Sequence, residues 1–129
     1  MMRFRYRRGE RGAAAVEFAL VLPVLILLVF GLIEFSRVYN IQISLSNAAR
    51  EGARTMAVEN SLPIARSAAI AAAPSITPAV SAGQIAITPA SCTAGGTVAV
   101  TINYSVSLMT GFFGATLPLT GKGVMRCGG

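Results

Sequence analysis

The chain has 129 residues, a length that indicates one small domain. Hydrophobic residues make up 53 % of it, charged residues only 12 %, and the formal net charge is +6. It contains no His and two Cys, a composition that argues against a tetrahedral metal site and leaves no His as a catalytic base. We therefore predict no metal, no cofactor and no enzyme activity.

The positive charge is concentrated at the N-terminus. Only Glu10 opposes the five arginines that precede residue 13, which are Arg3, Arg5, Arg7, Arg8 and Arg11. Nucleic-acid-binding proteins spread Lys and Arg over a folded face, so we predict no nucleic-acid partner. Arginines before an apolar segment instead orient a membrane protein, with its N-terminus in the cytoplasm and the remainder outside.

An apolar segment follows the arginines. Residues 13–33 contain one charge, Glu17, and as an α-helix they would span about 31 Å, close to one hydrocarbon core. A cleaved secretory signal is the alternative, but the segment leads into Glu34-Phe35-Ser36-Arg37, which is a poor cleavage site. We predict a retained transmembrane helix in a lipid bilayer.

The helix is expected to continue beyond the membrane as an amphipathic extension over residues 34–58. Apolar and small residues recur there at steps of three and four, and no proline occurs between Pro23 and Pro63. The apolar stripe of this extension needs a partner. Its small residues would permit the close approach of another backbone; they are Ala48, Ala49, Gly52 and Ala53.

Residues 59–83 are predicted to form a short helix and a linker. The helix should begin near Pro63, with Ser61 as its N-cap, and end before Pro74. The Pro- and Ser-containing stretch that follows is typical of a linker.

Residues 84–129 change to a period of two, which predicts a β-rich domain. Strands are expected over residues 84–89, 97–108 and 116–127. The second should have one apolar face, made by Val98, Val100, Ile102, Tyr104, Val106 and Leu108. The third should break at Gly121-Lys122-Gly123, interpreted as a turn, and Pro118 indicates an edge position or a bulge. The predicted fold class is α+β: a long N-terminal helix, a short helix and a small antiparallel sheet of three to four strands, covered by the outer half of the long helix.

Both cysteines, Cys92 and Cys127, lie in this C-terminal region. An even count downstream of an export signal favours one disulfide in an oxidising compartment, with free thiols as the alternative. In the chain-entropy model, closing this span would stabilise the domain by about 4 kcal/mol.

Glu17 is costly in an apolar segment, by about 2.5–3.5 kcal/mol at a helix centre and less near an end. One interpretation is that its side chain reaches for the membrane interface. The other depends on the string GAAAVEF, which resembles the processing site of type IV prepilins, where a basic leader ends in Gly and a Glu is the fifth mature residue. This resemblance implies that a prepilin peptidase removes residues 1–12 by cutting between Gly12 and Ala13. It also implies that Glu17 pairs with the Ala13 ammonium of a neighbouring subunit.

A second string, AAREGAR, narrows the family. Together with the opening RGAAAVEFAL it resembles TadE-like proteins of the tight-adherence (Tad, or Flp) type IV pilus system. The family-motif residues are Phe18, Ala48, Ala49, Arg50, Glu51, Gly52, Ala53 and Arg54. The alternative for the charged members is a solvated helix face, on which Arg50 and Arg54 form a mildly unfavourable like-charge pair.

The resemblance implies a type IV pilin-like fold and a minor pilin or pseudopilin that takes part in Tad pilus assembly. The protein would be anchored in the bacterial inner membrane, and its implied partners are the prepilin peptidase, other Tad pilins and pseudopilins, and the inner-membrane assembly platform. The alternative is a monomeric single-pass membrane-anchored binding or scaffold module of a secretion system. That module would need the same anchor and sheet, but not Gly12 with Glu17 in the fifth mature position.

Overall fold

The computed structural model describes residues 8–109, 111, 114 and 116–128, so Arg3, Arg5 and Arg7 of the predicted leader lie outside it. The elements in chain order are α1 (Arg8–Glu59), α2 (Leu62–Ala71), a 3-10 turn (Ala82–Gln84), β1 (Ile85–Thr88), β2 (Thr97–Ser107) and β3 (Thr116–Arg126). The chain divides into two compact units, Met1–Phe35 and Ser36–Gly129. The predicted α+β class, with a long apolar N-terminal helix, a short helix and a small antiparallel sheet, is confirmed.

The described residues of the first unit, 8–35, form the N-terminal part of α1. The helix begins at Arg8, earlier than the predicted start at Ala13, and it continues through Pro23. Its large apolar side chains, from Val16 to Ile33, are exposed. Within the described residues, α1 is the helix long and apolar enough to cross a membrane. This part of the chain therefore fits a single-pass membrane anchor.

The second unit contains a three-stranded antiparallel sheet in the order β1-β2-β3. The buried face of β2 is the predicted one and comprises Val98, Val100, Ile102, Tyr104 and Val106. Leu108, the sixth residue of the predicted face, follows the end of the strand and is half-buried. β3 lies at the edge of the sheet, as Pro118 indicated.

The predicted break at Gly121-Lys122-Gly123 is wrong, because all three residues lie inside β3 and pair with β2. Gly121 and Gly123 are two residues apart and therefore share a face. A Cβ on Gly121 would lie 2.5 Å from the carbonyl carbon and oxygen of Leu45, and one on Gly123 would lie 2.5 Å from those of Ala49. The two glycines thus let the backbone of α1 approach the strand directly.

The core of the second unit lies between α1, α2 and the inner face of the sheet. Its largest fully buried side chains are Leu45, Met56, Val98, Val100 and Ile102. α2 also approaches α1 closely, since a Cβ on Gly52 would lie 3.1 Å from the Ala69 Cβ. The partner that the apolar stripe of the α1 extension requires is therefore supplied by its own chain.

The segment between α2 and β1, predicted as a linker, packs onto the domain. Ile76 and Val80 are buried in the core, and the Tyr104 hydroxyl donates a hydrogen bond of 2.7 Å to the Pro78 carbonyl. At the start of α2, Ser61 occupies the N-cap position as predicted, but its side chain makes no capping hydrogen bond.

Asn60 directly follows the last residue of α1 and links the helix to the segment between β1 and β2. Its backbone has a φ of 48°, in the left-handed region, and its Oδ1 accepts a hydrogen bond of 2.6 Å from the Cys92 N–H. Cys92 is joined to Cys127 by a disulfide, with the two Cα atoms 5.6 Å apart. The Cys127 N–H donates in turn to the Gly96 carbonyl at 2.9 Å. The Gly128 N–H also donates to the Ala57 carbonyl at 3.4 Å, so the disulfide and three hydrogen bonds close this end of the domain.

Candidate functional site

The predicted processing residues lie on an uncovered stretch of α1. Gly12, Ala13, Glu17 and Phe18 are all exposed, and a Cβ added to Gly12 would meet nothing within 4 Å. Ala13 and Glu17 are four residues apart, so they are neighbours on one face of the helix. The helix thus places the Gly12–Ala13 bond and the Glu17 carboxyl group within two turns of each other.

Apolar residues surround Glu17 in the sequence of α1. The exposed side chains around it include Val16, Phe18, Leu20 and Val21. A carboxylate in such a segment is stabilised by a nearby cation, because solvation by water is lost. No Lys or Arg occurs between Arg11 and Arg37.

The AAREGAR block lies in the second unit, and the helix divides it into two faces. Its small residues are fully or nearly fully buried; they are Ala48, Ala49, Gly52 and Ala53. They face β3 and α2, whose Gly123 and Ala69 approach the helix at Ala49 and Gly52. The small residues of the block are therefore the contact surface between α1 and the rest of its own domain.

The charged residues of the block occupy the other face. Arg50 and Arg54 are exposed and Glu51 is half-buried. The two arginines are four residues apart on the same side of α1, which makes them a like-charge pair that costs a few tenths of a kcal/mol. Their positions agree with the solvated helix face that was the alternative interpretation of these residues.

Two polar contacts fix α1 to the sheet and were not predicted from the sequence. The Arg37 guanidinium donates to the Ser107 carbonyl, and the Gln42 Nε2 group donates to the Thr120 carbonyl at 2.8 Å. Sequence reasoning also missed the contact role of Gly121 and Gly123. Their spacing was the available indication, because two glycines two residues apart in an alternating segment fall on one face of a strand.

A metal site in a protein needs several ligand side chains close together. In the part of the chain that the structure describes, no cluster of three or more His, Cys, Asp or Glu side chains is found, and both cysteines are in the disulfide.

Comparison with known families identifies the N-terminal part of the chain. The model of a family described as TadE-like protein matches residues 12–54, a span that starts at Gly12, contains Glu17 and ends at Arg54. The sheet lies outside the match. No curated protein and no solved structure matches the chain. The TadE-like family is a structural, pilin-like family and not an enzyme family. Over residues 12–54, one third of its length, the chain is similar to TadE-like proteins, a likeness consistent with a pilin-like protein of the Tad system.

Proposed function

We propose that this protein is a minor pilin or pseudopilin that takes part in assembly of the Tad pilus. The observation that carries the proposal is the spacing of three exposed residues on a helix that fits a single-pass anchor. Gly12 is followed directly by Ala13, and Glu17 comes four residues after Ala13. After Glu17 the helix carries no further charge until Glu34. A membrane anchor alone has no need of this arrangement.

The first step of the proposed function is cleavage by a prepilin peptidase between Gly12 and Ala13. It removes the arginine-rich leader and leaves the apolar segment attached, so the mature protein keeps its anchor. The new α-amino group at Ala13 is largely protonated at neutral pH. Cleavage thus gives the mature protein a cation at Ala13. The next basic residue along the mature chain is Arg37.

The second step is pairing between subunits. When such helices pack side by side with an axial offset, Glu17 of one subunit lies beside the Ala13 ammonium of the next. The pairing offsets part of the cost of burying each charge. A single polar pair in an apolar bundle also sets the axial register of the helices, since other offsets leave both charges without a partner.

Cleavage is tested by N-terminal sequencing of the membrane-purified protein, which should begin at Ala13. Gly12→Val should block processing, because a bulky side chain at the scissile bond does not enter a tight site. The matched control is Gly31→Val, which makes the same change in the same helix, again with nothing within 4 Å of the added Cβ. An intact Met1 form in cells with an active prepilin peptidase, or equal processing of both variants, would contradict the proposed cut.

Pairing is tested with Glu17→Gln, which keeps the shape of the side chain and removes its charge. Glu10→Gln is the matched control, since it removes the same charge before the cut. Both variants should insert and be processed, but only Glu17→Gln should lose incorporation in a crosslinking or shear-release assay at equal membrane levels. Equal incorporation of Glu17→Gln and wild type would refute the pairing and favour the monomeric anchored binding module.

A further inference from the structure

The sheet has an outer face that is turned away from α1 and carries no negative charge. From Asn60 onward the chain contains no Asp or Glu, while it contains three cations, Arg66, Lys122 and Arg126. Lys122 and Arg126 lie on the face of β3 opposite to the glycines that contact α1, and both are exposed. The strands of the sheet contain no Asp or Glu, so neither cation has a carboxylate partner within the sheet.

The strand register fixes the layout of this outer face. Lys122 pairs with Thr101, and Arg126 pairs with Thr97; directly paired residues share a face of the sheet. The two cations are four residues apart on one strand, so their Cα atoms are about 13 Å apart. Val124 lies between them and is exposed. The outer face therefore carries two widely spaced positive charges.

Neutral hydrogen-bonding groups surround the cations. Thr97 and Thr101 belong to the central strand, and the outer face continues with the pair Asn103 and Thr120. Asn103 Oδ1 is 3.2 Å from Thr120 Oγ1, which donates to it, so the Nδ2 protons of Asn103 remain available to a ligand. The one aromatic residue of β2, Tyr104, lies on the opposite, buried face.

This combination discriminates between classes of polyanion. Duplex DNA carries one charge per about 1.7 Å of its axis and is bound by dense arrays of Lys and Arg, and proteins that bind single strands add aromatic side chains on which bases stack. Two cations about 13 Å apart, set among hydroxyl and amide groups, instead match a polymer whose carboxylates are less dense than the phosphates of DNA and which also carries many hydroxyls.

We propose that the outer face of the sheet binds an acidic polysaccharide. Lys122 and Arg126 contact its carboxylates, while Thr101 and Asn103 exchange hydrogen bonds with its sugar hydroxyls. This surface is separate from the residues that carry the proposed pilin function, so either proposal can fail without the other.

The experiment measures binding of the full-length protein in nanodiscs to polygalacturonate, with neutral dextran and duplex DNA as comparison ligands. Lys122→Gln/Arg126→Gln should weaken polygalacturonate binding about five-fold, the effect of two exposed charge contacts. The matched control Arg50→Gln/Arg54→Gln removes the same charge from an exposed face of α1 and should change binding less than about two-fold. The leader arginines are present in every variant, so their attraction for the polymer contributes equally to each affinity and does not affect the comparison between variants.

A second variant separates recognition from net charge. Thr101→Val keeps the shape and charge of the sheet and removes one hydroxyl, so it should weaken polygalacturonate binding about three-fold. Melting curves of all variants check that each is folded. Equal losses in the two double variants, an unchanged affinity of Thr101→Val, binding of dextran as tight as that of polygalacturonate, or tighter binding of DNA that depends on the same residues would each overturn the proposal.

Discussion

The contact between α1 and β3 can be tested by adding a single methyl group at Gly123. In Gly123→Ala the new Cβ would lie 2.5 Å from the carbonyl carbon and oxygen of Ala49 and 2.6 Å from the backbone nitrogen of Arg50. Carbon atoms in ordinary contact are about 3.5–4.0 Å apart, so the helix must move away by about 1 Å. The obstacle is backbone, and no side-chain rotation relieves it.

The expected cost follows from two opposing effects. Overpacking of this kind destabilises by about 1–3 kcal/mol or more, while replacing Gly by Ala restricts the unfolded chain and returns about 0.4–1 kcal/mol. The net loss should be about 1–2 kcal/mol, which lowers the Tm of a domain of this size by about 4–16 °C.

The assay is thermal unfolding of the full-length protein in detergent, followed by circular dichroism in the β region. Gly83→Ala is the matched control, because a Cβ there meets nothing within 4 Å; its Tm should stay the same or rise slightly. A Gly123→Ala protein that melts with the control would show that α1 does not approach β3 as closely as the structure has it.

Two further predictions concern the disulfide end of the domain. Replacing Cys92 and Cys127 together by Ala should lower the free energy of unfolding by about 4 kcal/mol in a denaturant titration, and reductant should have the same effect on wild type; a wild type that ignores reductant would show that the crosslink adds no stability. Asn60→Ala keeps a Cβ at a φ of 48° and removes the acceptor of the Cys92 N–H, with an expected cost of about 1–3 kcal/mol. Asn60→Gly should recover the backbone part of that loss, and equal stability of the two variants would mean that the left-handed conformation costs nothing there.

The buried face of β2 was predictable because its pattern is local. Five apolar side chains alternate over a strand of 11 residues, and a period of two has one structural explanation at this length. The Gly121-Lys122-Gly123 string was wrongly predicted to be a turn, because its structure does not depend on local sequence alone. Locally, glycine indicates a turn as readily as a close approach, and here the choice depends on a helix far away in the sequence.

Burial also separates roles that the family resemblance could not. The resemblance marks Ala48 through Arg54 as one block, but the structure places the small residues in the core and the arginines outside. Ile76 and Val80 were missed because they stand in a Pro-containing segment without periodicity. These two residues are buried because they cover an edge of the core, and that edge exists only once the sheet and the helices have packed together.

The contact between α1 and β3 also orders events when the protein is made. Gln42 and Thr120, which are hydrogen-bonded across this contact, stand 78 residues apart in the chain. Contacts this distant form slowly, because a long loop must close before they contribute any stability. α1 is therefore synthesised first and covered last, and its apolar stripe stays open to wrong partners until β3 has emerged. A growing chain that pauses before residue 116 therefore exposes the face of α1 that β3 covers in the folded domain, and it is prone to aggregate at that stage.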